Sequence, residues 1–188
     1  MSDQELSDEI LYQRCADGDD DALSSLLERH GESLALFIYG IVGSMEDAED
    51  LMLDAFAQIS ADRGRFQRRS SFRTYLFAIG RNLACKSIRK KHPVFTPLEE
   101  ETVSAGEAGD PDARLIKLEE NQRLYQGLAG IPFEYALALY LIFFESMSYA
   151  ETARVMRKTE KQVANLACRG KNALKEILEK DGYQDGKL

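Results

Sequence analysis

The chain of 188 residues has few residues that break helices and few that carry out catalysis. It contains 13 glycines and four prolines, and residues that favour helices predominate, so we expect an all-α fold. Cys15, Cys85 and Cys168 have no metal or redox spacing and are expected to be reduced thiols. We expect His30 on a helix surface and His92 at a domain junction, neither of them beside a carboxylate or thiol in a recognisable pattern. With no glycine-rich phosphate loop and no metal-ligand cluster, the sequence argues against an enzyme, a cofactor and a bound metal.

We also expect neither a signal peptide nor a membrane span. Residues 1–10 are acidic and polar, whereas a secretory signal begins with basic residues followed by an apolar stretch. The most apolar run, residues 133–144, has eleven apolar residues in twelve, fewer than the roughly 18–20 that span a bilayer. We therefore expect a cytoplasmic protein without membrane insertion, in which residues 133–144 form a helix buried on most sides.

Acidic and basic residues are unevenly distributed along the chain, which has a net charge of −8. Residues 1–61 contain fifteen acidic and two basic residues, whereas residues 62–91 contain one acidic and ten basic residues. Residues 154–175 contain seven basic residues and one acidic residue. A negatively charged chain can still bind nucleic acid when its positive charge is segregated, and its overall acidity limits non-specific binding.

Three of the four prolines lie between residues 93 and 111, in a stretch with three consecutive glutamates and no sustained periodicity. This composition is typical of a flexible linker. We therefore predict two helical domains, residues 1–92 and 114–188, joined by an acidic linker at residues 93–113.

Residues 44–59 have the pattern of an amphipathic helix. Acidic side chains lie opposite its apolar face, and those beyond the first turn are not explained by the helix dipole. The acidic surface is either a solvated helix face or a docking surface for a basic partner. The apolar face consists of Ala48, Leu51, Met52, Ala55, Phe56 and Ile59, and the acidic face of Glu46, Asp47, Asp50 and Asp54.

A second helix is predicted to begin near Ser70 or Ser71. Phe72, Leu76, Ile79 and Leu83 would form its buried stripe, and Arg73, Phe77 and Arg81 a neighbouring outward stripe. Arginines beside an exposed aromatic ring suit a phosphate backbone with an unpaired base stacked on the ring. The alternative is a basic helix that packs against the acidic parts of the chain.

Two capping boxes, at residues 148–151 and 159–162, predict a short helix ending near Met156, a turn at Arg157 and Lys158, and a helix over residues 160–179. The second helix is basic, as in a helix-turn-helix that reads DNA. A hairpin that serves only for packing is the alternative. The predicted inner face consists of Val163, Leu166, Ala167, Gly170, Leu174, Ile177 and Leu178.

Taken in their order along the chain, these segments resemble those of bacterial RNA polymerase sigma factors of the two-domain extracytoplasmic-function (ECF) type. The residues DAED at 47–50 with Phe56 are similar to the polymerase-docking helix of the family. The residues FRTYL at 72–76, with Ile79, Arg81 and Asn82, resemble its promoter-melting segment, and SIRK at 87–90 the helix end over the −10 element. The residues SYAE at 148–151, with Ala153, Val163 and Arg169, resemble the module that reads the −35 element.

The resemblance implies a sigma factor that binds core RNA polymerase through the β′ clamp helices and the β flap. It also implies binding to duplex and single-stranded promoter DNA, and control by an anti-sigma factor. The implied polymerase-binding residues are Asp47, Asp50, Leu51 and Asp54. The implied residues for −10 recognition and melting are Arg65, Arg68, Arg69, Arg73, Tyr75, Phe77, Arg81, Asn82, Lys86, Arg89 and Lys90. The implied −35 contacts are Thr159, Lys161, Gln162, Asn165 and Arg169.

The chain departs from the family pattern at several positions. Tyr75 stands where Trp is usual, Arg157 where the turn usually has Gly, and Gly170 where Ala is usual. Two other functions stay open at this point: a sigma mimic that binds a regulator or the polymerase without directing initiation, and a stand-alone helix-turn-helix activator.

Overall fold

The computed structural model describes residues 6–61, 66–88 and 126–180. These residues form helices and turns, with no strand among them, as the composition predicts. The helices of the N-terminal domain are α1 (Asp8–Ala16), α2 (Asp20–Val42), α3 (Met45–Ala61) and α4 (Phe72–Ser87). Those of the C-terminal domain are α5 (Phe133–Leu139), which continues into a π-helical turn (Tyr140–Phe144), α6 (Tyr149–Met156) and α7 (Glu160–Lys180).

Side-chain caps define where the helices of the N-terminal domain begin. The Ser7 hydroxyl accepts a hydrogen bond from the backbone N–H of Ile10, at the start of α1. The Asp19 carboxylate accepts one from the backbone N–H of Ala22, at the start of α2. Ser71 caps α4 by accepting from the N–H of Thr74. Each cap satisfies an amide that has no partner within its own helix. The predicted start of α4 is therefore confirmed.

The N-terminal domain packs α1, α3 and α4 around the long helix α2. The predicted apolar stripes of α3 and α4 are buried or half-buried against it. An aromatic cluster fixes the segment that precedes α4, because the Phe66 ring meets the Tyr12 ring edge-on at 5.2 Å. The Tyr12 hydroxyl also accepts a hydrogen bond from the N–H of Phe66 at 3.2 Å.

The C-terminal domain contains both predicted capping boxes. Ser148 and Glu151 exchange hydrogen bonds at the start of α6, and Thr159 and Gln162 do so at the start of α7. Between them, Arg157 has a left-handed backbone (φ 55°), and the Lys158 N–H donates to the Ala153 carbonyl at 2.9 Å. This bonding closes a Schellman turn, with Arg157 at the position that glycine usually takes.

The predicted inner face of α7 is buried or half-buried, and the structure gives a reason for Gly170. A Cβ at this position would lie 3.1 Å from Cγ of Leu139 and 3.2 Å from Cβ of Tyr135. The glycine therefore allows α7 to approach α5 closely, which offsets its lower helix propensity.

The predicted helix at residues 133–144 is mostly buried, but its form was not foreseen, because its second half is a π-helical turn. Phe143 is 53% exposed, and the Lys171 ammonium lies over its ring, 4.7 Å from the centroid. No helix among the described residues is long and apolar enough to span a bilayer.

The two domains pack against each other, with α4 lying on α6 and Arg73 of α4 bonding Glu145 at the end of the π-helical turn. The Phe37 ring of α2 lies 5.7 Å from the Tyr140 ring, and both side chains are buried. The predicted linker at residues 93–113 lies outside the described residues, so the domain boundaries stay a prediction.

Candidate nucleic-acid and polymerase interfaces

The acidic face of α3 is fully presented to solvent. Glu46, Asp47, Asp50 and Asp54 are exposed, whereas the opposite face packs on α2 and α4. Leu53 lies among the acidic residues with 51% of its surface exposed, and the predicted contact residue Leu51 is half-buried at their edge. The result is a negatively charged surface with apolar side chains within it, which suits a basic partner helix.

The outward position predicted for Phe77 is wrong in this structure. Its side chain is fully buried, 5.1 Å from the Phe37 ring, and the Arg73 guanidinium lies 5.6 Å from its centroid. The helical stripe that we expected to face solvent is instead covered, because Phe77 packs against α2 and Arg73 bonds Glu145 of the C-terminal domain. A role for Phe77 in DNA binding stays a prediction.

Arg73 forms the main polar contact between the domains. Its guanidinium donates to the backbone carbonyl of Glu145 at 2.6 Å and also to the Glu145 carboxylate. Burial raises the pKa of Glu145, while the positive charge of Arg73 and hydrogen bonds from Tyr140 and Arg73 oppose that rise. The Arg73 side chain is therefore not available to a phosphate in this conformation.

A second carboxylate joins α6 to the start of α4. One oxygen of Glu151 accepts from the Ser71 hydroxyl at 2.9 Å and from the Thr74 hydroxyl at 3.2 Å. Burial raises the pKa of Glu151, but hydrogen bonds from Ser148, Ser71 and Thr74 outweigh it and hold the pKa below its usual value. The first turn of α4 is thus bonded to the first helix of the predicted helix-turn-helix.

The remaining predicted −10 residues have different degrees of exposure. Arg68 and Arg69 are exposed, and Arg68 has a left-handed backbone (φ 53°). The Nε of Arg81 is buried without a hydrogen-bond partner among the described residues. Tyr75 and Asn82 are half-buried, Lys86 is exposed, and Arg65, Arg89 and Lys90 lie outside the described residues.

All five predicted −35 residues are exposed on α7 or at its start. Lys161, Asn165 and Arg169 recur every four residues and therefore share one face of the helix. Thr159 and Gln162 also form the capping box, so their side chains position the helix as well as facing solvent. A cleft of about 530 Å³ adjoins this face and carries Arg154, Lys158 and Lys161 on its walls.

Sequence reasoning missed a charged cluster that joins α1 to α2. His30 does not lie free on a helix surface: its side chain is 12% exposed, and Nε2 is 2.7 Å from Oδ2 of Asp8. The two residues are 22 positions apart, so no local spacing pattern reveals the pair. His92 lies outside the described residues.

Comparisons with known proteins give the family of the chain. The family models for Sigma-70 region 2 and Sigma-70 region 4 match residues 26–93 and 121–174. The chain is 24% identical to the ECF RNA polymerase sigma factor SigW of Bacillus subtilis, over 86% of this chain and 91% of SigW. It is 26% identical to the ECF RNA polymerase sigma-E factor of Escherichia coli, over 83% of this chain and 85% of the relative.

Among solved structures, the chain resembles CnrH, which was solved in complex with the cytosolic domain of CnrY. The TM-score is 0.67 with 26% identity, covering 93% of this chain and 98% of CnrH. The chain therefore belongs to the sigma-70 family and, within it, to the ECF group. It is a sigma factor, a subunit that binds RNA polymerase and recognises promoters.

Proposed function

We propose that this chain docks on core RNA polymerase through the acidic face of α3 and melts promoters through α4 and the segment before it. In the same proposal, α7 reads the −35 element. The observation that carries it is the separation of charge on the folded chain. Exposed carboxylates cover one side of α3, whereas exposed basic side chains lie before α4 and along α7.

Docking on polymerase rests on Asp47, Asp50 and Asp54, which all remain in solvent when α3 packs on the domain. In this proposal the partner is the basic pair of clamp helices on the β′ subunit. Leu51 and Leu53 add apolar contact within the charged surface, and the burial of Leu53 on docking contributes to affinity.

Melting requires a surface that binds single strands better than duplex. Arg68 and Arg69 provide exposed charge for the backbone, and Tyr75 provides a half-buried ring that packs against Phe66, two residues before Arg68. Aromatic rings among cationic side chains bind unpaired bases without requiring a duplex. We assign Arg65, Arg89 and Lys90, which lie outside the described residues, to the same function.

Reading of the −35 element rests on α7 as the recognition helix. Its exposed face carries one amide side chain, Asn165, between two cations, Lys161 and Arg169. An asparagine can bond an adenine edge in the major groove, while lysine and arginine bind guanine or phosphate. The C-terminal domain would at the same time rest on the β flap of the polymerase.

The proposal extends to partners and location. CnrH, a protein of similar structure, was solved with the cytosolic domain of CnrY, and we assign this chain a protein regulator, of the anti-sigma class. Sigma factors are initiation factors without catalysis of their own, so the reaction would be catalysed by the polymerase. We also place the chain in the cytoplasm. The domain division at 1–92, 93–113 and 114–188 belongs to the same proposal.

One observation favours a second function, that of a sigma mimic. The side of α4 that carries Arg73 and Phe77 is covered by the chain itself. A mimic that binds a regulator or the polymerase would not need this side to open.

Run-off transcription on fragmented host genomic DNA separates the two functions. Core polymerase is supplied with or without this protein, and the transcripts are sequenced. New 5′ ends with shared upstream motifs are expected and would reveal the promoter. Unchanged transcripts from a protein that still binds core polymerase would refute the sigma activity and support the mimic.

A further inference from the structure

Helix α1 is tied to both ends of the pre-α4 segment (residues 66–71). The Phe66 N–H donates to the Tyr12 hydroxyl at 3.2 Å, and the Phe72 N–H donates to the Glu9 carboxylate at 3.3 Å. Because Glu9 and Tyr12 are three positions apart, they share one face of α1. We propose that both are positioning residues for the capture of single-stranded DNA, which hold the pre-α4 segment so that its two exposed arginines meet the strand together. The inference rests on the proposed function, in which this segment and α4 melt promoters.

The Tyr12 ring reinforces both ties by packing between the ends of the segment. Its centroid lies 5.2 Å from that of Phe66 and 5.8 Å from that of Phe72, and all three side chains are buried. The Phe66 ring in turn lies 5.2 Å from the Tyr75 ring, to which the proposed function assigns an unpaired base. A change at Tyr12 is therefore separated from Tyr75 by a single ring.

The backbone of the pre-α4 segment needs such support. Arg68 is exposed and has a left-handed backbone (φ 53°), which is unfavourable for a residue with a side chain and persists only where the surrounding structure holds it. The two ties fix the chain two residues before Arg68 and four residues after it. Without them we expect the segment to adopt several conformations, few of which present Arg68 and Arg69 to the same strand.

Helix α1 can support the segment because its own N-terminus is anchored on α2. The Arg29 guanidinium donates to the Leu6 carbonyl at 2.8 Å and to the Asp8 carboxylate at 2.9 Å. The other oxygen of Asp8 lies 2.7 Å from Nε2 of His30. These bonds are made by the residue directly before Glu9, so the pre-α4 segment is connected through α1 to the long helix of the domain.

Tyr12→Phe tests this role, because it removes the hydroxyl that accepts from Phe66 and keeps the ring. Fluorescence anisotropy measures binding of labelled single-stranded DNA of random sequence to the complex of the full chain with core polymerase, with core polymerase alone as the reference. We expect the affinity for DNA to fall about threefold to tenfold, as the loss of one hydrogen bond lowers the population of the binding-competent segment. The affinity for core polymerase should not change.

Two further variants accompany Tyr12→Phe. Glu9→Ala should weaken DNA binding to a similar extent, whereas Glu9→Gln, which keeps an acceptor oxygen, should restore most of the affinity. Tyr149→Phe is the matched control, because it removes an exposed tyrosine hydroxyl in the C-terminal domain and should leave DNA binding unchanged. Circular dichroism establishes that each variant is folded.

Combining Tyr12→Phe with Arg68→Ala and Arg69→Ala separates positioning from a general loss of stability. If Tyr12 acts through the two arginines, Tyr12→Phe should have no further effect on DNA binding once they are absent. An effect of the same size with and without the arginines would overturn the inference, and so would a loss shared by Tyr149→Phe.

The failure of the inference can be told from the failure of the proposed function. Unchanged DNA affinity in folded Tyr12→Phe and Glu9→Ala, beside a loss in the variant without Arg68 and Arg69, would overturn the positioning role alone. A complex that binds single-stranded DNA no better than core polymerase by itself would overturn both.

Discussion

Asp8 at the start of α1 binds His30 in the middle of α2, with 2.7 Å between Oδ2 and Nε2. The other oxygen of the carboxylate accepts from Arg29 at 2.9 Å. The hydrogen bond with His30 is the largest influence that lowers the pKa of Asp8, against burial, which raises it. The carboxylate therefore stabilises the folded chain in its ionised form.

Replacing Asp8 with asparagine is expected to lower the free energy of unfolding by about 2 kcal/mol near neutral pH, a value typical of hydrogen bonds to a charged group. Because the folded pKa is depressed, this contribution is present above the ordinary value of 3.8 and is lost as the pH falls through the folded value. Denaturant unfolding at neutral and at acidic pH measures the difference. We expect it to shrink on acidification.

Asp21→Asn is the control for this comparison, because Asp21 is exposed and lies in the first turn of α2. It is expected to have little effect on stability at either pH. A penalty for Asp8→Asn that stays constant with pH would contradict an ionic role for the pair.

The sequence predicted the parts of the structure that depend on local spacing. The capping boxes at Ser148 and Thr159 follow from residues three positions apart, and both are present. The α4 helix begins after Ser71, one of the two predicted starting positions. The burial of Phe77 and the bond between Asp8 and His30 were not predictable, because each depends on elements distant in the chain. Periodicity indicates which residues share a face but not which face a second domain covers.

Arg157→Gly is expected to stabilise the chain. Arg157 has φ 55° and ψ 46°, a left-handed conformation that costs a residue with a side chain roughly 1–2 kcal/mol. Glycine adopts this conformation without that cost, although it also has more conformational freedom in the unfolded chain. We therefore expect the free energy of unfolding to rise by about 0.5–1 kcal/mol. The midpoint of thermal unfolding measures it. Arg154→Gly, within α6, should lower stability by about 1 kcal/mol, and a loss in both variants would refute the explanation.

Gly80→Ala is expected to destabilise the N-terminal domain. A Cβ at this position would lie 2.7 Å from Cδ1 of Leu34 and 3.3 Å from Cδ1 of Ile38. Both neighbours are fully buried, so the added methyl group should cost about 1–3 kcal/mol through overpacking. Denaturant unfolding measures the loss. Combined with Leu34→Ala, the variant should be less destabilised than the sum of the two single variants, and simple additivity would argue against this contact as the cause.

The separation of polymerase docking from DNA binding can be tested with exposed residues alone, so that folding is preserved. Asp50→Lys with Asp54→Lys reverses the charge of the α3 surface, which should weaken binding to core polymerase at least about tenfold, because like charges across an interface cost several kcal/mol.

Arg68→Ala with Arg69→Ala removes two exposed cations and should leave core binding intact while weakening single-stranded DNA binding and its dependence on salt. Asp21→Lys with Glu28→Lys makes the same change of charge on exposed positions of α2 and should affect neither property. Fluorescence anisotropy with labelled protein or labelled DNA measures both affinities, and equal losses of both in the α3 and the arginine variants would refute the assignment of the two surfaces.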